Sequence, residues 1–181
     1  MTSTKIIKYF TVLVGVTFLT FFFHEMSHWI AYKFLGYDAG FTINQAYLKD
    51  SSIQLTKTEK IITSSAGPVF TILQALTSYF ILKKNKNIML YPLLFLPFIM
   101  RLGAAWANIF EPNDEGRVSL YLGLNLYVIP IIVVSFLFLL IYKISKKNKI
   151  SIFFNFLNFI ASLLLISILV YLDFKYKTKF V

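Results

Sequence analysis

Residues 21–29 read FFFHEMSHW, an H-E-x-x-H motif inside a hydrophobic segment. On a helix of 3.6 residues per turn, His24 and His28 project from the same face. Two imidazoles in this arrangement can bind one Zn²⁺, and Glu25 beside them is the candidate general base. The alternative is two buried polar residues that bond to a neighbouring helix. Ionisable side chains inside a membrane span are costly and usually functional, which favours the metal-binding interpretation.

The composition is typical of a membrane protein. The 181 residues are 57% hydrophobic and 14% charged, with a mean hydropathy of +0.70. These values predict an all-α polytopic bundle that occupies a single membrane-embedded domain, residues 1–181. The net charge of +10 comes mainly from Lys and Arg at the ends of apolar segments. This placement indicates contact with a lipid bilayer and argues against a nucleic-acid partner.

Five apolar segments predict five membrane spans. They cover about residues 6–35, 60–82, 88–110, 118–144 and 150–172. We interpret the first as a retained span because no small-residue cleavage site follows it. One face of this span carries small and polar side chains and should point into the bundle, with the Phe-rich side toward lipid. The residues of this face are Thr17, Thr20, His24, His28 and Ala31.

A polar stretch, residues 36–59, separates the first two spans. Residues 41–44 and 52–55 alternate apolar and polar side chains, which is the period of a β-strand. Residues 49–52 between them have the composition of a turn. We therefore predict a short hairpin or irregular loop near the histidines. The edge of a hairpin could hold an extended substrate by strand addition, and the alternative is a solvated connector.

The third metal ligand has to be a carboxylate. Catalytic zinc sites usually have three protein ligands, and this chain has no cysteine and no third histidine. Because the second span crosses back and the third returns, the third span ends at the membrane face where the first span ends. The acidic cluster at residues 111–115 lies there. Its members are stronger candidates than Asp38, Asp50 and Glu59 in the polar stretch.

Arg101 and Asn108 are the polar residues of the third span. They lie seven positions apart and share a helix face. An arginine inside a membrane is costly unless it faces protein or water, so we expect both to point into the bundle. There they could bind a peptide carbonyl of a substrate, and the alternative for Arg101 is a structural role. The last two spans, about residues 118–173, have no ionisable residue in their apolar centres and are predicted to serve packing.

These features resemble the site-2 protease family of intramembrane zinc metalloproteases. The motif at residues 24–28 lies in the first span, Ala-Gly-Pro at 66–68 lies early in the second, and Asp114 lies near a glycine after the third. The resemblance implies a catalytic core of residues 6–117 in a multi-pass protein of the cell membrane. It implies a zinc metalloendopeptidase that cleaves membrane-protein or peptide substrates in or near transmembrane segments.

The resemblance also implies a set of site residues. His24, His28 and Asp114 would hold Zn²⁺, and Glu25 would activate a water. Family members usually have Asp followed directly by Gly, whereas here Glu115 intervenes before Gly116. Glu115 is therefore the alternative third ligand.

Two other functions compete with the protease. A non-proteolytic zinc-binding scaffold or accessory protein is disfavoured by the intact Glu25, because zinc binding alone needs no general base there. A small transporter is disfavoured because the ionisable groups collect at one membrane face. Orientation has two opposed indications. The Lys-dense loops 83–86 and 143–149 favour a cytoplasmic location for the face opposite the motif. The resemblance instead implies an active site nearer the cytoplasm.

Overall fold

A computed structural model describes residues 3–181 as a bundle of helices with one small sheet. The elements are α1 Ser3–Phe34, β1 Ala39–Phe41, β2 Ala46–Leu48, α2 Lys57–Lys84, α3 Tyr91–Ala107, α4 Asp114–Tyr121, α5 Val128–Asn148 and α6 Ile152–Tyr176. A short 3₁₀ turn, Ile88–Leu90, leads into α3. Five segments are long and apolar enough to cross a membrane: Thr4–Phe34, Lys57–Lys84, Ile88–Ala107, Val128–Asn148 and Ile152–Tyr176. The predicted all-α bundle with five spans and a hairpin after the first is confirmed.

The start predicted for the fourth span, residue 118, is wrong. Residues 114–121 form the separate helix α4, and the long helix α5 begins ten residues later than predicted, at Val128. Gly123 ends α4 because it adopts a φ of +79°, a left-handed conformation that glycine accepts without strain. The amide of Gly123 donates to the Leu120 carbonyl and the next amide donates to Ser119, which closes the helix end. The third span also ends earlier than predicted, at Ala107.

The predicted hairpin exists, but its strands are shifted. β1 and β2 pair antiparallel, with Gly40 opposite Tyr47, and the turn between them is residues 42–45. The Thr42 amide donates to the Gln45 carbonyl at 2.8 Å and closes this turn. Residues 52–55, predicted as a strand, contain none. They lead instead into the start of α2, where Thr56 and Glu59 cap each other's backbone.

The inward face of α1 is largely as predicted. Thr17, Thr20, His24 and His28 are buried, and Ala31 is half-buried. The expectation that the phenylalanines face lipid is wrong for Phe21, which packs with Ile43 of the hairpin turn and Met100 of α3. This small cluster lies beside the histidines because Phe21 precedes His24 by about one helical turn and His28 by about two. It supplies an apolar wall for the site.

Polar contacts between helices hold α6 against the bundle. The Tyr9 hydroxyl of α1 donates to Asn158 at 2.5 Å, and the Tyr91 hydroxyl of α3 donates to Asn155 at 2.8 Å. At the other end of α6, Asp173 accepts a bond of 2.8 Å from the Thr42 hydroxyl of the hairpin turn. The bond between Tyr9 and Asn158 is buried, and water does not compete for a hydrogen bond in such surroundings. Between these contacts, Leu163, Ile166 and Val170 in the middle of α6 line the same cavity as His24 and His28.

Candidate metal centre

The two histidines of α1 turn the same ring nitrogen inward. The Nε2 atoms of His24 and His28 lie 3.2 Å apart, as expected for residues one helical turn from each other. His28 donates its Nδ1 proton to the Thr63 carbonyl of α2 at 2.6 Å. A neutral imidazole with its proton on Nδ1 has a lone pair on Nε2. Helix α2 therefore fixes His28 in the tautomer that can bind a metal through Nε2.

Asp114, the first residue of α4, completes the group. Its Oδ2 atom lies 3.1 Å from His24 Nε2 and 3.3 Å from His28 Nε2. All three residues are buried. The Asp114 carboxylate therefore faces the Nε2 atoms of both histidines. The segment that follows the third span thus meets the C-terminal half of the first span at one point.

The three donor atoms have the spacing of a metal site. Ligands about 2.0–2.1 Å from a tetrahedral zinc ion lie about 3.3 Å from one another, and the three distances here are 3.1, 3.2 and 3.3 Å. The lone pair of a neutral His28 faces the Asp114 carboxylate, and two lone pairs at this distance repel each other. A cation between them removes the repulsion. The group could therefore hold a metal ion.

The buried charges around this group also favour a cation. Glu25, Asp114 and Glu115 are buried carboxylates, and Arg101 is the buried cation beside them. When all four are ionised they carry a formal charge of −2. A charge left uncompensated in a low-dielectric interior is costly. A divalent cation among the three donor atoms would neutralise the set.

Glu115 points away from the histidines. Its two carboxylate oxygens lie 3.1 and 3.2 Å from Nη1 of Arg101, within a buried ion pair. The same Nη1 lies 3.4 Å from Asp114 Oδ2. The Oδ1 atom of Asp114 accepts a bond of 2.6 Å from the half-exposed Arg117. Of the two adjacent acids, Asp114 therefore lies with the histidines and Glu115 lies with Arg101.

Glu25 lies next to the donor group and outside it. Its Oε1 atom is 4.0 Å from His24 Nε2, and the backbone of Ala46 in β2 faces its carboxylate. Glu25, His24, His28 and Asp114 line one cavity of about 690 Å³. Other walls come from the hairpin turn, α3 and α6: Asn44, Gln45, Met100, Ala104, Leu163, Ile166 and Val170. A carboxylate that faces open space beside three metal donors can accept a proton from a molecule bound there.

Arg101 and Asn108 both point inward, as predicted, but they differ in surroundings. Arg101 lines the cavity, and its Nε atom has no partner among residues 3–181. Asn108 does not line it: its Oδ1 accepts a bond of 2.6 Å from the Asn113 amide and abuts Gly116. Asn108 thereby shapes the loop that precedes Asp114. Substrate binding by either residue stays a prediction.

Three residues near the centre were not singled out by sequence for the roles that the structure gives them. Gly67 had a signal, since it lies in the run of small residues at 64–67 that permits close helix packing. The sequence indication for Arg117 is weaker: a basic residue just after the acidic cluster can pair with one of its carboxylates. Thr63 had none: it contacts His28 through its backbone carbonyl, which every residue type possesses.

Replacing Gly67 by Ala is expected to damage the metal centre. A Cβ atom at position 67 would overlap the rings of both His24 and His28. The rings would have to move, so we expect metal affinity to fall about tenfold or more, as it does when ligand orientation is lost. The measurement is competition with a chelator of known affinity. Gly103→Ala is the matched control, since its Cβ would meet nothing within 4 Å. Equal affinities for both variants would contradict this prediction.

The described chain thus has five candidate transmembrane helices and a buried His–His–Asp group that could hold a metal ion. No family model, no curated protein and no solved structure matches the chain.

Proposed function

We propose that this protein is an intramembrane zinc metalloprotease of the site-2 protease type, which hydrolyses peptide bonds in or near transmembrane segments of membrane proteins. The observation that carries the proposal is the position of Glu25. Its carboxylate stands 4.0 Å from a nitrogen of the donor group, in the same cavity, without belonging to the group. A scaffold that only binds metal has no use for a buried carboxylate beside it, since burying one is costly.

The donor set supports zinc as the metal. Two imidazoles and one carboxylate form a common ligand set of catalytic zinc, which keeps a further position open for water or substrate. His24, His28 and Asp114 would hold the ion. When bound, zinc lowers the pKa of a water and polarises the scissile carbonyl.

Glu25 would serve as general base and then as general acid. Its carboxylate accepts the proton of the attacking water and passes it to the leaving amine. The Glu25 side chain is buried and faces the Ala46 backbone of the hairpin, which restricts its movement. The proton would therefore travel a short distance in both steps. Arg101 offsets part of the negative charge near Glu25, because it pairs with Asp114 and Glu115.

The hairpin supports an extended substrate. A transmembrane helix has its carbonyls in internal hydrogen bonds and must unwind before hydrolysis. The outer edge of β1 is occupied, because the Phe180 amide donates to the Phe41 carbonyl at 3.0 Å. The backbone of β2, by contrast, faces Glu25 at Ala46. We therefore assign strand addition to β2, where a bound strand would pass the metal group.

The test is a metal analysis coupled to a cleavage assay. We expect about one zinc per chain in the purified protein, as in a single catalytic site. Cleavage would be followed with tagged single-span model proteins whose spans contain Gly and Pro and unwind readily. A chelator should abolish cleavage, and added Zn²⁺ should restore it while Mg²⁺ should not. Cleavage that survives complete metal removal would contradict the proposal. Zinc binding without cleavage of any span would favour the scaffold.

A further inference from the structure

Arg101 and Glu115 form a buried ion pair at the junction of α3 and α4. Arg101 is 4% exposed and Glu115 is 4% exposed. Nη1 of Arg101 lies between the two oxygens of Glu115, at 3.1 and 3.2 Å. A guanidinium removed from water requires a counter-ion close by, and here the contact with both oxygens supplies it.

The same Nη1 atom lies 3.4 Å from Asp114 Oδ2, the oxygen that faces both histidines. An arginine without another partner would bind this carboxylate fully and compete with a metal ion for its lone pairs. The other oxygen of Asp114 is already bound by Arg117 at 2.6 Å. The orientation of Asp114 toward the histidines therefore depends on how strongly Arg101 is bound elsewhere.

We propose that Arg101 and Glu115 are a positioning pair, in which Glu115 holds the Arg101 guanidinium so that Asp114 Oδ2 stays available to the metal ion. The inference rests on the metal site of the proposed function and gives Glu115 a role distinct from that of a ligand. It also explains why two adjacent acids stand at the start of α4. Asp114 would bind the metal ion, and Glu115 binds the Arg101 guanidinium.

Glu115→Gln tests the pair directly. With its counter-ion gone, Arg101 should turn to Asp114, and the affinity for Zn²⁺ should fall about 10- to 100-fold, the range for lost outer partners of a ligand. Affinity is measured by chelator competition in detergent micelles. The visible absorption of the Co²⁺-loaded protein should change as well, because it reports the ligand geometry. Unchanged affinity and unchanged absorption would overturn the inference.

The double variant Arg101→Gln, Glu115→Gln separates positioning from ligation. Removing the arginine in the Glu115→Gln background leaves no guanidinium to compete for Asp114 Oδ2, because Arg117 contacts the other oxygen. Affinity should therefore return to within about threefold of the wild-type protein, as expected for coupled neighbours. If Glu115 were a ligand, the double variant would stay as weak as the single one, which would overturn the inference. If Glu115→Gln does not fold, the Zn²⁺ affinity of the double variant alone still distinguishes a positioning role of Glu115 from ligation.

Tyr9→Phe is the matched control for a purely structural effect. It removes a buried interhelical bond far from the centre, the one to Asn158. We expect a lower melting temperature with unchanged Zn²⁺ affinity. Loss of affinity in this control equal to that of Glu115→Gln would overturn the inference. Wild-type protein that binds neither Zn²⁺ nor Co²⁺ would instead refute the proposed function itself, which keeps the two failures distinct.

Discussion

Replacing Glu25 by Gln is expected to lower the rate of peptide-bond hydrolysis about 10²- to 10⁴-fold, the usual contribution of a general base. Glutamine has the same shape but cannot accept the proton of the attacking water. Because the Glu25 carboxylate lies outside the donor group, 4.0 Å from His24 Nε2, zinc content should stay close to that of the wild-type protein. Single-turnover cleavage of a tagged model span, run beside a zinc assay, measures both quantities on the same preparation.

Glu111→Gln is the matched control for this variant. Glu111 lines the same cavity but is exposed to solvent and lies outside the donor group. We expect it to retain activity, which shows that loss of any one carboxylate in the cavity is not enough. A Glu25→Gln protein that cleaves at the wild-type rate would refute the general-base role. One that loses its zinc would instead make Glu25 a ligand.

Most of the fold could be predicted because membrane spans have a strong compositional signature. Long apolar segments predict membrane-spanning helices, since a helix satisfies its backbone hydrogen bonds internally. The break between α4 and α5 escaped prediction because residues 118–127 are nearly as apolar as a span. What ends α4 is the conformation of a single residue, Gly123, with its two closing hydrogen bonds. Hydropathy averages over such a residue.

The hairpin shows a similar limit. Alternating side chains predicted that the polar stretch contains strands, but not which residues pair. The register is set by the turn at residues 42–45, closed by the bond from Thr42 to Gln45 and tied to α6 through Asp173. That tie joins residues more than a hundred positions apart. No local pattern in the sequence encodes it.

The candidate site was predictable where helix geometry or span counting determined it. The spacing of His24 and His28 places both on one face of α1. The number of membrane crossings brings residues 111–115 to the side of the membrane where α1 ends. Neither argument predicts which of the two adjacent acids, Asp114 or Glu115, lies with the histidines and which pairs with Arg101. It depends on where the side chain of Arg101 reaches from a different helix, which is a matter of tertiary packing.

Replacing Asp114 by Asn is expected to lower the affinity for Zn²⁺ by more than about 100-fold, because even loss of an outer partner costs 10- to 100-fold. The amide keeps the size of the side chain but removes the negative charge that faces both histidines at 3.1 and 3.3 Å. The Co²⁺ absorption should weaken in parallel. Chelator competition gives the affinity, and the melting temperature of the metal-free protein shows whether the fold persists.

Asp173→Asn is the matched control, an identical change in an acid that is half-buried rather than buried. Asp173 accepts hydrogen bonds from Thr42 and the Ile43 amide and does not belong to the donor group. Its replacement should leave metal affinity unchanged, although the hairpin loses an anchor to α6. If Asp114→Asn binds zinc as tightly as this control, Asp114 is not the third ligand. The carboxylate that completes the site would then have to be Glu25 or Glu115, the other buried acids of the centre.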